Sequence, residues 1–145
     1  MTYKGRYPIK NPSKYNGDPT NIVYRSGWEL TVMKWLDLND SVIRWSSEEI
    51  RIPYIDPFTG KRRNYYPDFV VELKDKDGNK QTYIWEVKPH KQTQPPEKRT
   101  RVTRKYLTEV HTYGINKNKF EAADKYCKQR GWEFVVMTEK KFGFK

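Results

Sequence analysis

Between residues 65 and 88 the chain reads as two β-strands joined by a tight turn, and the position of that turn dictates which side chains share a face. Residues 65–73 and 81–88 carry the β-branched and aromatic side chains of strands, with Asp77-Gly78 as turn chemistry between them. A three-residue loop at Lys76-Asp77-Gly78, with Gly78 left-handed, sets Asp68 directly opposite Glu86, their β-carbons roughly 5 Å apart. A two-residue loop at Asp77-Gly78 would put Asp68 opposite Val87 instead, because a slip of one residue turns every side chain to the other face. The first register is expected, and Lys88, two residues beyond Glu86, then points to the same side.

The flanking segments define the architecture. Ser26 is a good helix N-cap, and Trp28, Val32, Trp35 and Leu36 recur at helical spacing until Asn39-Asp40. Residues 42–45 and 50–55 read as short strands, with turns at Asp56-Pro57 and Gly60. After Pro95-Pro96, Val102, Tyr106, Val110 and Tyr113 predict an amphipathic helix that stops at Gly114. A separate helix capped by Asn116 or Asn118 carries Phe120, Ala123 and Cys127 on one face and ends at Gly131, before a last strand over 132–137. The expected order is α-β-β-β-β-α-α-β, an α/β sandwich whose mixed central sheet is flanked by helices, since the last strand arrives by a helical crossover. Residues 1–25, with Asn11-Pro12 and Gly17-Asp18-Pro19, read as an irregular basic arm. No repeat or long linker divides the chain, so residues 1–145 are expected to form one domain.

Composition limits the function classes. Eleven Tyr, six Phe and five Trp supply a core that the aliphatic residues alone would not. One cysteine, Cys127, excludes an intramolecular disulfide framework and suits a reducing compartment; on an apolar helical face it reads as core. The longest apolar runs are far too short to span a bilayer and no signal peptide is recognisable, so a soluble protein without a membrane partner is expected. With 29 Lys+Arg against 18 Asp+Glu the net charge is +11, which favours nucleic acid. The excess gathers at Lys4, Arg6, Lys10, Lys14 and Arg25, at Lys61-Arg62-Arg63, and at Lys98, Arg99, Arg101, Arg104 and Lys105. Of these, Lys61, Arg62, Arg63, Arg99, Arg101 and Arg104 are the expected phosphate contacts, against the plainer reading of a solvated surface.

In so basic a chain, acids in hydrophobic settings stand out: Asp68 in Tyr66-Pro67-Asp68-Phe69 and Glu86 in Trp85-Glu86-Val87-Lys88. Two facing carboxylates repel unless a cation sits between them, and hard oxygen ligands select Mg²⁺ or Mn²⁺ over zinc. Lys88 beside that ion can orient a water or stabilise charge on a five-coordinate phosphorus, which is a phosphodiesterase layout. The plainer readings are a Pro-Asp turn for Asp68 and a solvated strand face for Glu86 and Lys88.

Pro67-Asp68 followed by Glu86-Val87-Lys88 on successive strands after an N-terminal helix resembles the restriction-endonuclease-like superfamily, named for its Pro-Asp…Asp/Glu-X-Lys motif. The resemblance implies a core helix, a central sheet of about four strands and a second helix, with the acids binding divalent metal and the lysine assisting hydrolysis. It also implies a further acid from the first helix, here Glu29; the competing reading is a capping box in which Glu29 bonds back to the Ser26 amide. Blocks such as Tyr24-Arg25-Ser26-Gly27-Trp28-Glu29-Leu30, Ile52-Pro53-Tyr54, Glu86-Val87-Lys88-Pro89 and Tyr113-Gly114-Ile115-Asn116 resemble more closely the head-completion nucleases of T-even-type tailed bacteriophages. That likeness implies a Mg²⁺-dependent endonuclease, with Mn²⁺ as substitute and an exonuclease component, acting on packaged double-stranded phage DNA during head completion and head-tail joining. Head and neck proteins on the portal side would be its partners, and its location the host cytoplasm during assembly, with association to the virion.

Exonuclease branches of the superfamily place a glutamine and a tyrosine on the helix after the lysine strand, and residues 97–113 contain no Gln. Gln92 could line the site instead, or be a plain loop amide. His90 and His111 read as surface residues, since a metal and Lys88 make a histidine base unnecessary. Two other functions compete: a non-catalytic basic protein that clamps DNA in the phage neck, and a transposon-end or junction-specific nuclease with the same catalytic residues.

Overall fold

The computed structural model describes residues 4–142. In chain order its elements are β1 (Gly5–Arg6), β2 (Val23–Tyr24), α1 (Gly27–Leu38), β3 (Val42–Ser47), β4 (Ile52–Ile55), β5 (Arg62–Tyr65), β6 (Phe69–Lys74), β7 (Lys80–Val87), α2 (Arg104–Arg130), β8 (Glu133–Met137) and α3 (Glu139–Phe142). The central sheet has the order β3-β6-β7-β8, antiparallel except for β8, which runs parallel to β7 after the α2 crossover. The expected α/β sandwich with a mixed sheet is the observed one.

The turn between β6 and β7 fixes the register. The Gly78 amide donates to the Asp75 carbonyl at 3.0 Å, the Asp75 amide to the Asn79 carbonyl at 2.9 Å, and Gly78 takes a φ of 82°, which glycine adopts without penalty. This is the three-residue loop, and it pairs Phe69 with Trp85 and Val70 with Ile84. Asp68, one residue before β6, therefore faces Glu86. Alternation along the strands then builds two cores. Phe69, Val71 and Trp85 pack with Val32, Met33 and Leu36 of α1, while Ile84 and Val70 pack on the other face with Ala123 and Cys127 of α2 and with Ile52, Tyr54 and Tyr65 of the β4–β5 hairpin.

Three expectations need correction. Residues 4–25 are irregular over most of their length, as expected, but they are not an arm: β1 pairs with β2, and Tyr7, Tyr15 and Ile22 are buried in the α1-side core, with Tyr15 edge-on to Trp45 at 4.8 Å. Aromatic area on this segment outweighs its turn-rich composition. The strand expected over 65–73 is split by Pro67, so that Tyr65 ends β5, which forms its own two-stranded hairpin with β4. The two expected helices are one 27-residue helix, α2, running straight through Gly114. A β-carbon at Gly114 would lie 2.8 Å from the Phe58 ring, so this glycine admits the tip of the β4–β5 hairpin against the helix and does not end it. In the N-terminal half of α2, Leu107 and Val110 are exposed, and Val102 precedes the Thr103 cap.

Candidate active site

Asp68 and Glu86 are locked together by two reciprocal main-chain bonds. The Asp68 amide donates to Glu86 Oε1 at 3.3 Å, and the Val87 amide donates to Asp68 Oδ2 at 2.8 Å. Glu86 is 5 % exposed and also accepts from the Tyr65 hydroxyl at 2.5 Å, while Lys88 Nζ stands 3.8 Å from its Oε2. Asp68 keeps one edge open to solvent, and its Oδ1 has no hydrogen-bond donor among the described residues. Burial, then the Glu86 charge, push the Asp68 carboxyl well above the usual carboxylate range, with the Val87 amide and Lys88 pulling less strongly the other way. Burial likewise raises Glu86, against the Tyr65 hydroxyl and Lys88.

The backbone behind Asp68 is held from β3. Glu48, just past Ser47, takes a left-handed φ of 54°, which costs a non-glycine residue about 1–2 kcal/mol. Its amide donates to the Asp68 carbonyl at 3.2 Å, and its carboxylate pairs with Arg25. This strained residue ties the start of α1 to the Pro67-Asp68 turn.

Glu29 comes from α1, on the opposite face from α2. Its amide donates to Ser26 Oγ at 3.1 Å, as a cap requires, but its carboxylate bonds back to the Arg25 amide and not to that of Ser26, at a long 3.4 Å. Burial raises its carboxyl, Arg25 and Lys88 oppose, and its charge is felt at Asp68. Among the described residues no three His, Cys, Asp or Glu side chains form a finished metal cage. The donor set nevertheless suits a hard divalent cation: two fixed carboxylates, each with an oxygen free of hydrogen-bond donors among the described residues, and a third acid within electrostatic reach.

Two residues at the site escaped the sequence reading. Tyr65, at the end of β5, presents a buried hydroxyl to Glu86; its signal was an aromatic residue at the last strand position before Pro67-Asp68. Lys119, half-buried on α2, lies over the rings of Tyr54 and Tyr65, 5.8 and 5.6 Å from their centroids. Burial and Lys88 lower its pKa, while Glu86 and Asp68 raise it, so it shares the same electrostatic environment. Its signal was a lysine on the stripe of buried Ala123 and Cys127, at i−4 and i−8.

The expected phosphate contacts are scattered. Lys61 and Arg62 are exposed on the β4–β5 hairpin, but Arg63 Nε is committed to Asp56 at 3.0 Å, closing the hairpin turn. Arg99 and Arg101 are exposed in the segment before α2, and Arg104 is that helix's first residue. Gln92 lies in a single 3₁₀ turn, His90–Thr93, and lines a cleft of roughly 630 Å³ with Asn116, Phe120 and Thr138, away from the carboxylates' own contacts. His111 stacks on Phe58 at 4.5 Å, and Cys127 is buried with its thiol pushed up to about 11, a core residue as expected.

Comparison with known proteins adds two findings. The TnsA-like endonuclease N-terminal family matches residues 39–139, a stretch that holds Asp68, Glu86, Lys88 and Lys119 but not Glu29. The head completion nuclease of Enterobacteria phage T4 is 40% identical over 152 aligned residues, covering 100% of this chain and 99% of that protein.

Proposed function

This chain belongs to the TnsA-like endonuclease family and, within it, with the phage head completion nucleases; from that premise we propose a Mg²⁺-dependent deoxyribonuclease centred on Asp68, Glu86 and Lys88. It is a nuclease, and its part is played when a phage head is completed. The observation that carries the site is the interlocked pair Asp68–Glu86 with Lys88 at 3.8 Å, at one end of the central strands.

Asp68 and Glu86 would hold the metal, with Glu29 as third ligand once it leaves its long bond to the Arg25 amide. When bound, such an ion supplies charge neutralisation and a more acidic water. The chain's own groups do the rest. The Val87 and Asp68 amides keep both carboxylates in place, and the Tyr65 hydroxyl fixes the rotamer of Glu86. Lys88 orients the attacking water and stabilises the charge that grows on the phosphorus oxygens. Lys61, Arg62, Arg99, Arg101 and Arg104 hold double-stranded DNA by its phosphates, with Gln92 and Arg63 as secondary contacts. Binding should therefore weaken steeply as salt rises. The substrate would be packaged phage DNA, cut endonucleolytically with an exonuclease component, in the host cytoplasm beside portal-side neck proteins.

Plasmid cleavage with Mg²⁺, Mn²⁺ or EDTA tests this reading. Cleavage is expected with either ion and absent in EDTA; cutting that continues in EDTA would remove the metal, and a protein that binds DNA but never cuts would be a clamp. Linear, nicked, branched and supercoiled DNA side by side separate a general nuclease from a junction- or end-specific one. Glu29→Gln is expected to lower the rate with little change in melting temperature; unchanged activity would leave Glu29 as a cap only.

A further inference from the structure

Four charges meet at the candidate site on elements the sheet brings together: Asp68 before β6, Glu86 and Lys88 at the end of β7, and Lys119 from α2. Lys88 is partly engaged, 3.8 Å from Glu86. Lys119 is different. It makes no ion pair within 4.0 Å and no side-chain hydrogen bond among the described residues; its half-buried ammonium lies over two ring faces and feels the charges of Glu86 and Asp68 from beyond ion-pair distance. One of those rings, Tyr65, is bonded through its hydroxyl to Glu86, so the seat of the ammonium and the position of the carboxylate are one construction. The ring contacts alone do not explain why this half-buried position, on the helix face that carries Asn116, Ala123 and Cys127, holds a lysine without an ion pair.

We propose that Lys119 is a second catalytic lysine, which grips a non-bridging oxygen of the scissile phosphate from the α2 side while Lys88 serves the water. This rests on the nuclease reading above and extends it. Without substrate, Lys119 is held near the site by the negative charge of Asp68 and Glu86. A divalent cation bound to those acids would cancel that attraction and repel the ammonium, so Lys119 and the metal compete until a phosphate brings a new negative charge between them. The phosphate then carries the most charge in its five-coordinate state, where a preplaced ammonium in a half-buried setting acts most strongly. Since α1 brings Glu29 and α2 brings Lys119, opposite faces of the sheet contribute to one site.

Lys119→Met keeps the hydrophobic stem over the two rings and removes the charge; Lys119→Arg keeps the charge. At saturating DNA, Lys119→Met should cut roughly 10²–10³-fold more slowly than wild type, with Lys119→Arg recovering at least about tenfold. Mn²⁺ calorimetry without DNA should show Lys119→Met binding the ion as tightly as wild type or several-fold tighter, since a competing cation is gone. Cleavage by Lys119→Met within about twofold of wild type would overturn the proposal, as would weaker Mn²⁺ binding, which marks a structural role. Should the Met variant not fold, Lys119→Gln takes its place under the same criteria. Wild type and Asp68→Ala run alongside. A wild type that never cuts removes the nuclease reading itself, whereas a cutting wild type with an equally fast Lys119→Met removes only this inference.

Discussion

Asp37 and the Asp68–Glu86 pair are both buried acids with a tyrosine hydroxyl 2.5 Å away, and the protein treats them in opposite ways. Asp37, fully buried on α1, accepts from Tyr7, from the Lys10 amide and from the Asn11 amide, while Asn11 Nδ2 and Lys14 Nζ donate to its carbonyl. Burial alone would raise its carboxyl, but those donors outweigh it and hold it below the usual carboxylate range. Asp68 and Glu86 have fewer donors, face each other, and are both raised. A structural acid is saturated with protein donors. Asp68 and Glu86 keep oxygens without hydrogen-bond donors among the described residues, and burial is the main reason both stay raised.

The sharpest way to break this contrast is to remove each acid in turn. Asp68→Ala is expected to reduce cleavage at least about 10³-fold, while its melting temperature in EDTA stays level or rises because repulsion is relieved. A large drop in melting temperature would make Asp68 a structural acid like Asp37. Asp37→Ala should do the reverse, leaving the Tyr7 hydroxyl and two amides without acceptors and costing about 3–5 kcal/mol, read by chemical denaturation. The remaining folded fraction should cut normally.

Proton linkage separates the two sites more finely. The raised pKa values of Asp68 and Glu86 stabilise the fold fully below their unfolded values of about 4, and this contribution is lost as pH climbs through the raised folded ones. Asp37, being depressed, contributes above about 4 and loses that contribution as pH falls through its folded value. Metal-free protein should therefore melt higher near about pH 5 than near about pH 8, and Asp68→Ala should flatten that slope. An equal slope in the variant would assign it to other groups. The smallest expected effect comes from the tyrosines: Tyr7→Phe should cost about 1–2 kcal/mol of stability, and Tyr65→Phe should slow cleavage or weaken Mn²⁺ by about tenfold at near-constant melting temperature. Equal stability losses in both would erase the distinction.

What could be read from the sequence was whatever short-range chemistry decides. The Gly78 turn set the β6–β7 register, so the facing of Asp68 and Glu86 was legible in the sequence. The Ser26 cap was legible for the same reason, though its return bond goes to Arg25. Tyr65 and Lys119 were not, because they reach the site from a hairpin and a helix whose docking depends on tertiary contacts. The supposed break at Gly114 failed likewise: glycine as a helix end and glycine as a site of close approach look identical in one dimension, and only Phe58 distinguishes them. In the first 25 residues the turn-forming residues concealed the pull of Tyr7, Tyr15 and Ile22.

That glycine sets a working distance. Helical preference alone favours alanine over glycine by about 1 kcal/mol in a helix interior, yet at position 114 a single methyl would meet the Phe58 ring at 2.8 Å. Phe58 belongs to the hairpin that carries Tyr54 and Tyr65, and residue 114 precedes Lys119 by little more than one helical turn. The helix and hairpin thus form the jaws of a caliper whose gap is set by an atom left out. A routine stabilising swap here would tighten the local coil while pressing on the Phe58 ring, at the tip of the hairpin whose Tyr54 and Tyr65 rings face the ammonium.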